Sequence, residues 1–254
     1  DLHSFPTRRS SDLNLCNNHQ RWQITAYYLL GGLVLICWQQ IIVTWLADYH
    51  YAHCKSEINR RGNDINQALS HCALAIKMRP HEAAYQIELG GLYAQYAAQI
   101  AQKIPNHPSI KELTNLALEL SDRGFALNQH NLNFYKTRFR TFTSLSVIDS
   151  TYILQAKETL EQAMKLSPTD PKLTFYYATV LDSLGDYQAG EQALEKTLQM
   201  RPIYLEARLY LASKLWKRAQ YAAALANYHF VLDYIDSNNQ VAHTMIASAA
   251  ASLK

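Results

Sequence analysis

Residues 171–202 read PKLTFYYATVLDSLGDYQAGEQALEKTLQMRP, and this stretch decides the fold. Apolar residues recur at helical spacing on both sides of a break at Gly185-Asp186, so the stretch predicts two antiparallel helices. Pro202 stops the second helix, because proline lacks the amide that would continue the ladder. Pro168 and Pro202 stand 34 residues apart, a spacing found in arrays of helix pairs. Gly190 occupies the place of a small residue at the contact between the two helices.

The same ruler can be laid along the rest of the chain. Residues 204–236 keep register with it: Ala212, Tyr221, Ala224 and Leu225 match Ala178, Tyr187, Gly190 and Glu191, with Asp236 in the place of the proline. Upstream, FYKTRFRTFTSLSVID and YILQAKETLEQAMKLSP form a pair with Ala156 and Ala163 at its contact. This unit runs 39 residues from Gln129 to Pro168, one period plus five. Before it, AAYQIELGGLYAQYAAQIAQKI and SIKELTNLALELSDRGFALNQHN flank the loop Pro105-Asn106-His107-Pro108. From Pro80 to Gln129 is 49 residues, one period plus fifteen, so the helices of this unit are expected to be elongated. Residues 48–79 read as two further helices with a break near Arg61-Gly62-Asn63-Asp64 and with Ala68 and Ala75 at their contact. Residues 239–254 read as a capping helix, which an open array of repeats requires.

The Leu89-Gly90…Tyr93 spacing, the alanines and the terminal prolines resemble the tetratricopeptide repeat. The resemblance covers residues 48–238 and implies about five repeats, the second expanded, in an all-α solenoid of antiparallel helix pairs. It also implies a scaffold that binds protein or peptide ligands in an inner groove formed by the first helix of each pair. By register that groove is lined by Arg138, Thr141 and Leu145, then Lys172, Phe175, Thr179 and Asp182, then Glu206, Leu209, Ser213 and Trp216. Trp216 and Phe175 offer apolar contact, and Arg138 and Lys172 can meet a carboxylate or phosphate.

Ahead of the repeats, residues 22–47 read WQITAYYLLGGLVLICWQQIIVTWLA, with no charge between Arg21 and Asp48. A helix of this length exceeds the roughly 30 Å hydrocarbon thickness, and Trp22, Tyr27, Tyr28, Trp45 and Tyr49 supply aromatic residues at both ends. The stretch is expected to span a lipid bilayer, with Gln39 and Gln40 easiest to place against another helix. The alternative is the buried helix of a soluble adaptor. Lys55, Arg60 and Arg61 outnumber Arg21, so a count of flanking cations puts the repeats in the cytoplasm. Residues 14–21 form a polar lead-in. Residues 1–13, DLHSFPTRRSSDL, resemble a translated sequencing adapter, which makes the chain a C-terminal piece of a longer protein; a short basic arm is the other reading.

A further likeness lies in Leu127-Asn128-Gln129-His130-Asn131, then Lys136, Arg138 and Arg140, then Leu145-Ser146-Val147-Ile148-Asp149. With a membrane helix before it, this run is similar to the C-terminal region of bacterial O-antigen ligase or polymerase-like proteins. That resemblance implies a parent protein handling lipid-linked glycans at a bacterial inner membrane, with its catalytic part elsewhere.

The remaining composition excludes more than it assigns. A formal net charge of +3 supports no nucleic-acid partner. Cys16, Cys37, Cys54 and Cys72 form no C-x-x-C pair, and their spacings argue against a disulfide framework. No phosphate loop, dinucleotide fingerprint or nucleophile elbow occurs, and His81-Glu82 lacks the second histidine of a zinc helix. His50 and His53 share a helical face but have no evident third ligand. No catalytic residue, cofactor or metal is therefore assigned, and the chain reads as a binding protein rather than an enzyme.

Overall fold

The computed structural model describes residues 10–59 and 65–252, with side chains over 22–57 and 65–249, and every regular element among them is helical. Two compact units divide at His81/Glu82. Residues 1–9 and the break at Arg61-Gly62-Asn63-Asp64 lie outside the described residues.

The first unit pairs α1 (Ser10–Asn59) with α2 (Ile65–Met78). At about 1.5 Å per residue the 50 residues of α1 span roughly 75 Å. The boundaries expected at 13/14, 21/22 and 47/48 all fall inside this one helix. No proline or glycine interrupts Leu46-Ala47-Asp48-Tyr49-His50, so the first repeat helix simply continues the apolar one. From Trp22 to Ile42 the large apolar side chains are exposed, and Trp22–Glu57 contains a stretch long and apolar enough to cross a membrane.

Beyond that stretch Ala47, Cys54 and Glu57 become buried, at helical spacing, and α2 buries Ile65, Ala68, Cys72 and Ala75. A disulfide joins Cys54 to Cys72, with Cα atoms 5.4 Å apart. This corrects the expectation drawn from cysteine spacing. Cys54 and Cys72 are both fully buried where α1 packs on α2, so the pairing of the two helices brings the thiols together. Sequence spacing alone carries no such signal.

The second unit is a series of four hairpins and a last helix. These are α3 (Ala83–Lys103) with α4 (Ser109–Leu127), α5 (Leu132–Leu145) with α6 (Tyr152–Leu166), α7 (Pro171–Ser183) with α8 (Tyr187–Met200), and α9 (Leu205–Lys217) with α10 (Tyr221–Tyr234). Helix α11 (Gln240–Ser252) ends it. Connections between hairpins are constant at four residues: 128–131, 167–170 and 201–204. All the variation lies within hairpins. Against α7 and α8, helix α3 is longer by 21 − 13 = 8 residues, α4 by 19 − 14 = 5, and their connection by 5 − 3 = 2, which accounts for the fifteen extra residues. In α5–α6 the five extra residues are one in each helix and three in the connection 146–151.

Local chemistry sets the ends. Asn131, Asp170 and Asp186 cap α5, α7 and α8 by accepting hydrogen bonds from Asn133, Lys172 and Ala189 amides. Gly185 takes φ +84° in the α7–α8 turn. The core runs between helices as buried residues such as Phe139, Leu160, Leu173 and Val180, while Ala156 and Ala163 let the paired helices approach closely.

Candidate partner-binding face

The predicted groove residues fall into two groups. Arg138, Thr141 and Leu145 lie away from the exposed face of α5. Arg138 pairs with Asp122 (2.7 Å) and sits over the rings of Phe125 and Phe142 at 4.8 and 5.0 Å, among residues of the second helices. Thr141 is fully buried and donates to the Thr137 carbonyl at 3.0 Å; Leu145 is fully buried beside Ala94 and Ala117. The reason is the connection 146–151. A register counted backwards from Pro168 carries its extra residues into α5 and rotates the helix by the wrong amount. Counted from the helix start, 171 − 39 = 132, so the equivalents of Lys172, Phe175, Thr179 and Asp182 are Asn133, Lys136, Arg140 and Thr143.

Two of these equivalents are already occupied. Lys136 pairs with Asp170 at 2.9 Å, and Arg140 with the buried Glu88 at 3.1 Å. Burial would raise the Asp170 pKa. The Lys136 hydrogen bond and charge, with the Lys172 and Leu173 amides, outweigh it and hold the carboxyl below the usual carboxylate range.

On α7 and α9 the register holds, yet most positions serve packing. Phe175 is buried under the rings of Tyr204 and Tyr210. Thr179 and Ser213 turn inward to donate to the carbonyls of Tyr176 and Tyr210. Leu209 and Trp216 pack on the cluster that includes Ala242 of α11, and Trp216 meets Tyr221 edge-on at 5.0 Å. Lys172, over the Tyr176 ring, and Glu206 remain exposed.

Arg138 lines a small cavity of about 170 Å³ with Phe125 and Phe142, and Asp182 lines a larger one. A space of about 440 Å³ is lined by Asp182, Ser183, Tyr187, Tyr210, Lys214, Lys217 and Arg218. Its floor is a nearly buried ion pair: Lys214 Nζ donates to both Asp182 oxygens at 2.7 and 2.8 Å, and the Tyr210 hydroxyl donates to Oδ2 at 2.6 Å. Burial, then the Asp182 acceptor and its charge, push the Tyr210 pKa up. Gly190 makes room for this group, since a Cβ there would stand 2.5 Å from Asp182 Oδ1. The rim is different in kind. Tyr187 and Lys217 are exposed, and Arg218 is held by Glu191 at 2.9 Å. The fixed acid below and the cationic, aromatic rim above suit a ligand that brings negative charge and apolar surface together.

Position counting missed Tyr187, Tyr210, Lys214, Lys217 and Arg218 because Tyr187 opens α8 and the other four form a separate stripe along α9 and its C-cap, beside the inward one. A usable signal was present in Gly190, which stands where a small but methyl-bearing residue is expected.

Solved structures share this architecture. TTC0263, described as a thermophilic tetratricopeptide-repeat protein in Thermus thermophilus, is 19% identical, with a TM-score of 0.55 over 83% of this chain and 99% of that one. MamA (41-end) from Desulfovibrio magneticus RS-1 is 15% identical, with a TM-score of 0.51 over 76% of this chain and 97% of that one. The fold is thus that of a tetratricopeptide-repeat solenoid. No protein-family model matches the chain, and no curated protein matches it.

Proposed function

We propose that the chain is a membrane-tethered repeat scaffold that holds a protein partner at the Asp182–Lys214 cavity, in a bacterial cell envelope. The observation that carries the reading is the rim of that cavity: an exposed tyrosine and an exposed lysine, Tyr187 and Lys217, stand around an ion pair that fixes the floor. Rigid aromatic and cationic side chains of this kind contribute most of the energy in many protein interfaces. Tethering rests on α1, whose large apolar side chains from Trp22 to Ile42 are exposed among the described residues.

The Cys54–Cys72 disulfide favours an oxidising compartment for the repeats, outside the inner membrane. The cation count around the helix favours the opposite side. The disulfide is the stronger guide, because cytosolic thiols are kept reduced whereas flanking cations set only a bias. That side is also compatible with a second reading, in which the chain is the non-catalytic tail of a glycan-transferring membrane protein, as the run 127–149 suggests.

Cross-linking in intact envelopes tests the scaffold. Lys217→Glu or Tyr187→Ala should lower capture of a defined partner at least fivefold while the helical circular dichroism stays unchanged. Capture equal to wild type in both variants sinks the cavity as the binding site. Resistance of the chain to carbonate extraction tests the tether. Alkylation of Cys54 and Cys72 only after reduction, in intact cells, tests the compartment. An upstream reading frame with many apolar spans would favour the second reading.

A further inference from the structure

We infer that the hairpin of α1 and α2 carries a two-imidazole chelate for a divalent transition metal, formed by His50 and His71. The sequence placed His50 and His53 on one face without a third donor, and the fold supplies one from α2. His50 Nδ1 and His71 Nδ1 lie 3.0 Å apart. The ring of His53 stacks on that of His71 with centroids 5.3 Å apart, and Tyr49 packs on His53 at 4.4 Å. All three imidazoles are half-buried, so solvent reaches them. Among the described residues no three or more His, Cys, Asp or Glu side chains form a complete metal cage. The site is therefore an open chelate, finished by solvent or by an outside ligand.

Two nitrogens at 3.0 Å share one proton, because one ring must donate and the other accept. A cation bound by both rings takes the place of that hydrogen bond, with bonds of about 2.0–2.1 Å to each nitrogen. Imidazole donors suit copper, nickel and zinc, and by the general order of affinity Cu(II) binds most tightly. The two donors are also pre-positioned. The Cys54–Cys72 disulfide ties α1 to α2 one residue beyond His71 and four beyond His50, so little ordering remains for the metal to impose.

This inference is independent of the partner-binding reading. The test uses the full chain in detergent micelles, in a His3→Ala background so that the imidazole near the amino end does not compete. Cu(II), Ni(II) and Zn(II) are titrated singly. The expected result is one Cu(II) per chain with an electron paramagnetic resonance echo modulation from two imidazoles, and Cu(II) bound more tightly than Ni(II) or Zn(II). His50→Ala and His71→Ala should each weaken Cu(II) at least tenfold, and His53→Ala less than threefold. Continued protection of Cys54 and Cys72 from alkylation shows that each variant folds. His71→Gln, which keeps hydrogen-bonding capacity, provides a second folded variant with the donor removed. Equal Cu(II) affinity in the parent and the His50→Ala/His71→Ala double variant would overturn the chelate.

Discussion

The expanded hairpin α3–α4 and the regular hairpin α7–α8 both place glycine at the contact between their helices, and the two uses differ. In the expanded hairpin a Cβ on Gly90 would meet the Ala117 carbonyl at 2.9 Å and the Ser121 amide at 3.0 Å. One on Gly124 would meet Ile87 Cγ1 at 2.6 Å and the Ala83 carbonyl at 2.8 Å. Backbone touches backbone there, over two long helices. In the regular hairpin the first atom that a Cβ on Gly190 would meet is a side-chain oxygen, Asp182 Oδ1 at 2.5 Å. One pair of glycines closes an interface; the other single glycine admits a carboxylate that then holds Lys214 and Tyr210. The expanded hairpin is built for rigidity and the regular one for a polar group near a cavity.

Substitution separates these roles most sharply in the expanded hairpin. Gly90→Ala and Gly124→Ala should each cost about 3 kcal/mol, as overpacking against unyielding backbone does, read from the midpoint of denaturant unfolding. A loss below about 1 kcal/mol would mean that the helices can separate and that the contrast is wrong. Asp182→Ala should cost a similar amount, about 3 kcal/mol, by leaving Lys214 and the Tyr210 hydroxyl without their acceptor.

The two substitutions in the regular hairpin must also couple. Alone, Gly190→Ala displaces the Asp182 carboxylate and should destabilise by about 1–2 kcal/mol. In an Asp182→Ala background the nearest obstacle is gone and the Ala178 carbonyl at 3.2 Å remains, so the cost of the same change should fall by about 1 kcal/mol, helped by the higher helix propensity of alanine. No side-chain truncation should rescue Gly90→Ala, because its nearest obstacles are backbone atoms. Additive behaviour at Gly190 and Asp182 would place the two far enough apart to void the account of the glycine.

The regular repeats also carry a signature at alkaline pH. Burial, then the Glu161 hydrogen bond, raises the Tyr177 pKa to about 12; burial, then the Glu206 charge, raises Tyr204 to about 12. A phenol whose folded pKa exceeds its unfolded value of about 10 stabilises the native state fully below that value. The contribution is then lost as pH rises through about 12. Ultraviolet titration at 295 nm should show a class of tyrosines ionising only above pH 11, together with loss of helical signal. Ionisation of all seventeen tyrosines near pH 10 would contradict it.

Much of this was legible in the sequence because small residues and prolines recur wherever two helices must touch and stop. Leu89-Gly90, Ala156, Ala163 and Pro202 gave the hairpins and predicted the elongation of α3–α4. Register inside α5 was not legible. Five extra residues can be shared among two helices and a turn in several ways, and composition does not say which; Thr141 and Leu145 stand buried and Arg138 stands paired with Asp122. The disulfide was hidden for a related reason, since pairing of Cys54 with Cys72 depends on where the hairpin turns. The cavity was the least legible, because its residues converge from α7, α8 and α9, and counting within one helix does not bring them together.

The smallest effect tests whether the two regular hairpins are true copies. Gly185 and Ala219 stand one period apart, 185 + 34 = 219, in the turns α7–α8 and α9–α10, and both have positive φ, +84° and +59°. Glycine adopts this region freely, whereas alanine brings its Cβ against the following carbonyl at a cost of about 1 kcal/mol. Ala219→Gly relieves that strain but also frees the unfolded chain, which offsets part of the gain. The net expectation is stabilisation by about 0.5 kcal/mol, and Gly185→Ala should destabilise by about 1 kcal/mol, both from thermal or denaturant unfolding. If Ala219→Gly instead destabilises, the α9–α10 turn is not a copy of the α7–α8 turn, and the period that orders the C-terminal half ends at Pro202.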